Sequence, residues 1–133
     1  MIRLLLAALL LVAGCGAGSA VSHYGQVTAG AKGATTKVEV GKGQRFALAV
    51  PDNPGVGDSW ELVELPDVKV AAYISHEREA AGERPGAGGT SYFVFNAKRP
   101  GTARIRLFDC WRCTDRKNPT PESGEAIFDV TVR

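Results

Sequence analysis

Thr102-Ala103-Arg104-Ile105-Arg106-Leu107 alternates strictly, with Ala103, Ile105 and Leu107 on one side of an extended chain and Thr102, Arg104 and Arg106 on the other. A period of two is what a strand with one face on a core and one in water requires; a helix would scatter the same apolar residues around its circumference. The turn Lys98-Arg99-Pro100-Gly101 precedes this run. Before it, Phe93, Phe95 and Ala97 alternate with Tyr92, Val94 and Asn96, a strand apolar enough to be covered on both faces. Downstream, Ala126, Phe128, Val130 and Val132 line one face of a closing strand. Upstream, Val38 and Val40 alternate with Lys37 and Glu39, and Gly41-Lys42-Gly43 turns the chain into Phe46, Leu48 and Val50, which reads as a first hairpin. Trp60 and Leu62 share a face; after Pro66-Asp67, Val68, Val70, Ala72 and Ile74 form the next inward row. Ser75 to Pro85 is charged and rich in Ala and Gly, and reads as a long exposed loop with room for a helical turn within Glu77 to Ala81. The pattern predicts an all-β, immunoglobulin-like sandwich of about seven or eight strands.

A chain of 133 residues holds one such domain with a modest core. Sixteen basic against fourteen acidic residues leave a net charge of +2, without the clustered positive charge that nucleic-acid binding needs. The first residues read as a leader: Arg3 is a positive n-region and Leu4 to Val12 an apolar run too short to span a bilayer. Val12-Ala13-Gly14-Cys15 resembles a bacterial lipobox, with ordinary cleavage near Ala17 or Ala20 as the alternative. The expected division is a signal peptide over 1–14, a lipid-anchored small-residue tether over 15–26, and a domain over 27–133, in an exported lipoprotein of the cell envelope. Lipidation of Cys15 turns an odd cysteine count into a pair, Cys110 and Cys113, for which a disulfide is the natural outcome in an oxidising compartment. A redox role for Cys110-Trp111-Arg112-Cys113 would want a βαβ context, and zinc would want two further ligands.

Three turn-rich stretches stand next to strands. Asn53-Pro54-Gly55-Val56-Gly57-Asp58 leads into Trp60, and Pro54 fixes its own φ while the glycines admit positive φ. The others are Gly86-Ala87-Gly88-Gly89-Thr90 and Asp109-Cys110-Trp111-Arg112-Cys113. Neither His23, in the tether, nor His76, in a charged stretch, has a nucleophile near it in sequence, so catalysis is not indicated. Trp60 reads as core and Trp111 as an exposed anchor.

In order and spacing, the Asn-Pro-x-x-Gly loop, the Gly-x-Gly-Gly-Thr loop and the late Trp loop resemble the chagasin-like inhibitors of papain-family cysteine peptidases, over roughly Val27 to Val132. The resemblance implies three loops wedged side by side into a peptidase cleft, the Asn-Pro loop over the catalytic Cys, with Gly88 and Gly89 letting backbone approach the enzyme. The contact residues it implies are Asn53, Pro54, Gly55, Val56, Gly57, Asp58, Gly86, Gly88, Gly89, Thr90, Trp111 and Arg112, with no cofactor. The chain departs from the family pattern where Gly55-Val56 replaces Thr-Thr, Asp58 an aromatic residue, Cys110 Pro and Asp109 Arg. A carboxylate carried to a thiolate would be repelled, so an aromatic residue restored at 58 is expected to strengthen inhibition. The reading is a lipid-anchored, reversible inhibitor. A non-inhibitory binding module for another envelope protein is the alternative, and a small redox protein using Cys110 and Cys113 the third.

Overall fold

The computed structural model describes residues 23–133. The signal peptide, Cys15 and most of the tether lie outside the described residues. Among the described residues, eight strands form two four-stranded sheets. They are β1 (Gln26–Ala29), β2 (Thr35–Val40), β3 (Arg45–Pro51), β4 (Trp60–Leu62), β5 (Ala71–Ala80), β6 (Gly89–Ala97), β7 (Gly101–Asp109) and β8 (Gly124–Val132). One sheet runs β1-β3-β6-β5 and the other β2-β8-β7-β4. β1 lies parallel to β3 and β2 parallel to β8, and the remaining pairs are antiparallel. This is the all-β, immunoglobulin-like sandwich that the alternation predicted.

The inward rows meet as read. Phe46, Leu48, Val50, Phe93 and Phe95 face Val38, Val40, Ile105, Leu107, Phe128 and Val130 across the sandwich, all buried. Each large apolar side chain so buried contributes about 1.5–3 kcal/mol, and emptying the centre with Phe128→Ala would cost about 3–5 kcal/mol. The outer face of β6 is covered too. Val94 and Ala47 pack under Tyr24, whose ring stacks on Tyr92 at 4.2 Å and whose hydroxyl donates to Glu79 at 2.8 Å. Burial, reinforced by the Glu79 carboxylate, pushes the Tyr24 phenol up to about 12. Tyr24, inside the stretch read as tether, is therefore packed into the domain.

Three local readings are corrected. β2 and β3 are not a hairpin: the Gly41-Lys42-Gly43 turn carries the chain from one sheet to the other, where β2 pairs with β8 and β3 with β6. Ser75 to Ala80 is not a loop, because β5 continues to Ala80 against β6; its charges are tolerated because it is an edge strand. The row Val68, Val70, Ala72, Ile74 is not the inward face. Val68 and Ile74 are exposed, Ala71 is buried instead, and a register shift between Tyr73 and Ser75 resets the alternation.

Strand register defines two ends. Pro51, Gly89, Asp109 and Gly124 lie at the end that carries the three turn-rich stretches; Arg45, Ala97, Gly101 and Val132 lie at the opposite, basal end.

Candidate interaction loops

Loop 1, between β3 and β4, is built by two side chains at its neck. Asn53 caps a single 3-10 turn over Pro54–Val56, its Oδ1 accepting from Gly55 N at 3.1 Å. Asp58 folds back, its Oδ2 accepting from Asn53 N at 2.8 Å. Trp60 then enters the core and its Nε1 donates to Pro51 O at 2.9 Å, closing the loop below. Pro54, Gly55 and Val56 are exposed at the tip.

Asp58 thus does not project toward a partner, and Asp109 is withdrawn further still, at 0% exposure. Asp109 Oδ1 accepts from Ser59 N at 2.8 Å, and its Oδ2 lies 2.8 Å from Lys32 Nζ. Burial first, then a carboxyl hydrogen bond to Asp109, holds Asp58 above the usual carboxylate range; the bond from Asn53 N opposes this. The carboxylate that the sequence offers as a repulsive group is thus engaged inside loop 1. These carboxylates fasten loop 1 from below, and an aromatic residue at 58 would remove a fastening. Lys32, in the turn between β1 and β2, gave no signal in the sequence, because nothing local couples it to a strand end 77 positions away (109 − 32).

Loop 3, between β7 and β8, begins with the Cys110–Cys113 disulfide, Cα to Cα 5.2 Å. Inside that ring Arg112 sits at φ 49°, a left-handed conformation that a non-glycine residue rarely holds. The conformation turns both ends of Arg112 onto loop 1: its backbone N donates to Gly57 O at 2.9 Å and its Nε to Val56 O at 3.1 Å. Its guanidinium also covers the half-buried Trp111 ring at 4.6 Å. Gly57, at φ 122°, is needed for this approach, since a Cβ there would stand 2.4 Å from Arg112 Cγ. The backbone of Trp111 is fixed on the far side, its N donating to Ser123 Oγ at 3.0 Å and its O accepting from Thr120 Oγ1.

Loop 2, between β5 and β6, is held more lightly. Asn53 Nδ2 donates to Gly86 O at 3.4 Å, and Ala81 N to Gly88 O at 3.0 Å. Gly86 and Gly88 are in the loop proper, whereas Gly89 and Thr90 open β6. A Cβ on Gly89 would stand 2.3 Å from Glu79 O, so the chain's own neighbouring strand already demands that glycine.

Beneath loops 1 and 2, the cross-strand register brings His76 to Ser91, a meeting the sequence concealed. Ser91 Oγ donates to Asp52 Oδ2 at 2.6 Å and lies 2.8 Å from His76 Nε2. With the hydroxyl proton given to Asp52, His76 must be the donor to Ser91, the reverse of what activating a serine nucleophile needs. Ser91 is also fully buried. Burial lowers the His76 pKa, and Asp52 partly opposes that. Arg78 Nε lies 3.6 Å from Asp52 Oδ2, so the cluster joins the necks of two loops and is not a reaction centre. Among the described residues no group of His, Cys, Asp and Glu could hold a metal.

The model of the chagasin family of peptidase inhibitors, I42, matches residues 39–132, and the chain belongs to that family. Its members are inhibitors and not enzymes. Among solved structures, the chain is similar to EhICP2, a cysteine protease inhibitor from Entamoeba histolytica, at 12% identity and a TM-score of 0.59, covering 81% of this chain and 96% of that one. It is also similar to PbICP-C, solved in complex with falcipain-2, at 15% identity and a TM-score of 0.59, covering 82% and 100%. Identities this low speak to the fold. No curated protein matches the chain significantly.

Proposed function

We propose that this chain is a reversible, non-covalent inhibitor of papain-like cysteine peptidases that blocks the cleft with loops 1, 2 and 3, and that lipid on Cys15 anchors it to a bacterial cell envelope. The observation that carries the inhibitory reading is the Arg112 clasp. Through it, the exposed Pro54-Gly55-Val56 tip and the Trp111 ring form one edge before any partner arrives. Such pre-ordering reduces the entropy lost on docking. The proven complex of PbICP-C with falcipain-2 supports carrying a peptidase partner over to this fold. Contacts come from Pro54, Gly55, Val56, Gly86, Gly88, Trp111 and Arg112, while Asn53, Gly57 and Asp58 shape the loop. Val56 replaces hydroxyl chemistry with apolar contact, and no bond in the inhibitor need be cleaved.

Steady-state kinetics against a panel of papain-like peptidases test the reading. Competitive, reversible inhibition with the protein recovered at its intact mass is expected; no inhibition at high micromolar concentration by folded protein would leave a non-inhibitory binding module in its place. Anchoring is tested separately by the mass of the native protein, where an acylated N-terminal Cys15 is expected. A product cleaved beyond Cys15 would remove the anchor.

A further inference from the structure

The basal end presents a surface that inhibition does not use. Leu65 and Val68, in the connection from β4 to β5, are 72% and 67% exposed, the most open of the large apolar side chains described. With Pro66, Ala71, Ala72 and Tyr73 they line a cleft of about 260 Å³. At the same end, in the turns after β2 and β6 and just before β5, stand Lys42, Lys69, Lys98 and Arg99, all exposed, and none of their side chains meets a carboxylate among the described residues. The turns that bear them are stitched into one platform: Lys42 N donates to Arg133 O at 2.7 Å, Gly43 N to Ala97 O at 2.9 Å and Lys98 N to Val70 O at 2.8 Å. Opposing charge is modest. Asp67 Oδ1 accepts from Lys69 N and Glu39 is paired with Arg133, while Glu64, next to Leu65, is exposed.

We propose that this basal platform docks on an anionic phospholipid surface, Leu65 and Val68 entering the headgroup boundary and the four cations meeting lipid phosphates. An end that carries both an apolar tip and exposed cations fits that boundary, since burial of apolar area and attraction to anionic lipid add. The place where the described residues begin, and the length of chain ahead of it, favour this occupant over a protein partner. The described chain begins at His23, whose carbonyl oxygen accepts from Arg45 at the basal end of β3. Cys15 is eight residues upstream (23 − 15), a reach of about 28 Å at most. The inference rests on the lipid-anchor reading for the nearness of a bilayer, and not for the affinity of the platform. Docked this way, the protein holds its three loops away from the membrane, facing soluble peptidases.

The test floats the full-length protein with vesicles of phosphatidylcholine alone and with vesicles containing about a third phosphatidylglycerol. A Cys15→Ser background removes the acyl contribution from every arm. Replacing Lys42, Lys69, Lys98 and Arg99 by Gln, or Leu65 and Val68 by Ser, is expected to lower partition onto the anionic vesicles at least about tenfold. Arg84→Gln with Lys117→Gln, a loss of charge at the loop end, is expected to leave it unchanged. Val68→Trp should be quenched by lipid-borne quenchers, while Trp60 and Trp111, at the far end, should not. Equal partition of the basal and loop-end variants would overturn the proposal, as would self-association that Leu65→Ser and Val68→Ser abolish, which assigns the face to a second copy. Acylation of the wild type is scored by mass, so a failed anchor and a failed platform give different results.

Discussion

At the loop end three carboxylates turn inward. Asp52 meets Ser91 and Arg78, Asp58 holds Asn53 N, and Asp109 lies between Ser59 N and Lys32. At the basal end Lys42, Lys69, Lys98 and Arg99 turn outward. The same sandwich thus uses buried carboxylates to fix its long connections at one end and leaves four cations outside at the other. Long loops need that investment, because each unfixed residue loses backbone entropy on docking. The tight basal turns keep their shape through backbone bonds such as Gly43 N to Ala97 O. The difference teaches where shape is specified and where only charge and exposure are.

Asp109→Ala should break this contrast most severely. It leaves Ser59 N and the Lys32 ammonium without their partner under loop 1, and should cost about 3 kcal/mol in urea denaturation. Next is Trp111→Ala, which should weaken peptidase inhibition by about 2 kcal/mol, roughly thirtyfold, with little change in stability. The matched basal pair Lys98→Gln and Arg99→Gln should leave the inhibition constant where it was; an equal loss from both would erase the distinction between the ends.

Arg112→Ala sharpens the comparison within the loop end. It frees Val56 O and uncovers the Trp111 ring, and inhibition should weaken by about 1 kcal/mol, roughly fivefold, with a change in Trp111 fluorescence. Arg112→Lys should not restore it, since an ammonium cannot both stack on the ring and reach Val56 O as the planar guanidinium does.

The smallest effect is a pH dependence. Because the folded pKa of Asp58 is raised above its ordinary 3.8, its contribution to stability is fully present below that value and is lost as pH rises through the folded pKa. Asp58→Asn keeps an acceptor for Asn53 N and removes the like charge beside Asp109. The variant should match wild type in acid and exceed it slightly at neutral pH, by a few tenths of a kcal/mol in thermal or urea melts. Asp58→Tyr should instead lower stability, through the orphaned Asn53 N.

The strands that sit between two neighbours were legible because their alternation is undisturbed, as at Ile105 and Leu107 or Phe128 and Val130. β5 was not. As an edge strand it carries Glu77, Arg78 and Glu79 at no cost, and its register shift hides the period. The Gly41–Gly43 turn was misread because a turn between alternating runs looks the same whether the chain re-enters its own sheet or crosses to the other. In the site, Pro54, Gly57 and Trp111 were visible as turn and anchor residues. The inward facing of Asp58 and Asp109 was not, since it depends on Trp60 pairing with Asp109 across 49 positions (109 − 60).

Hydrogen–deuterium exchange of the protein alone and bound to a papain-like peptidase tests the central claim most directly. The account predicts new protection in all three loops, over 53–58, 81–88 and 110–113, and none at the basal connection over 63–70. Protection confined to the basal connection or the β5 edge, or a bound complex with loops 1 and 3 exchanging as in the free protein, would contradict it.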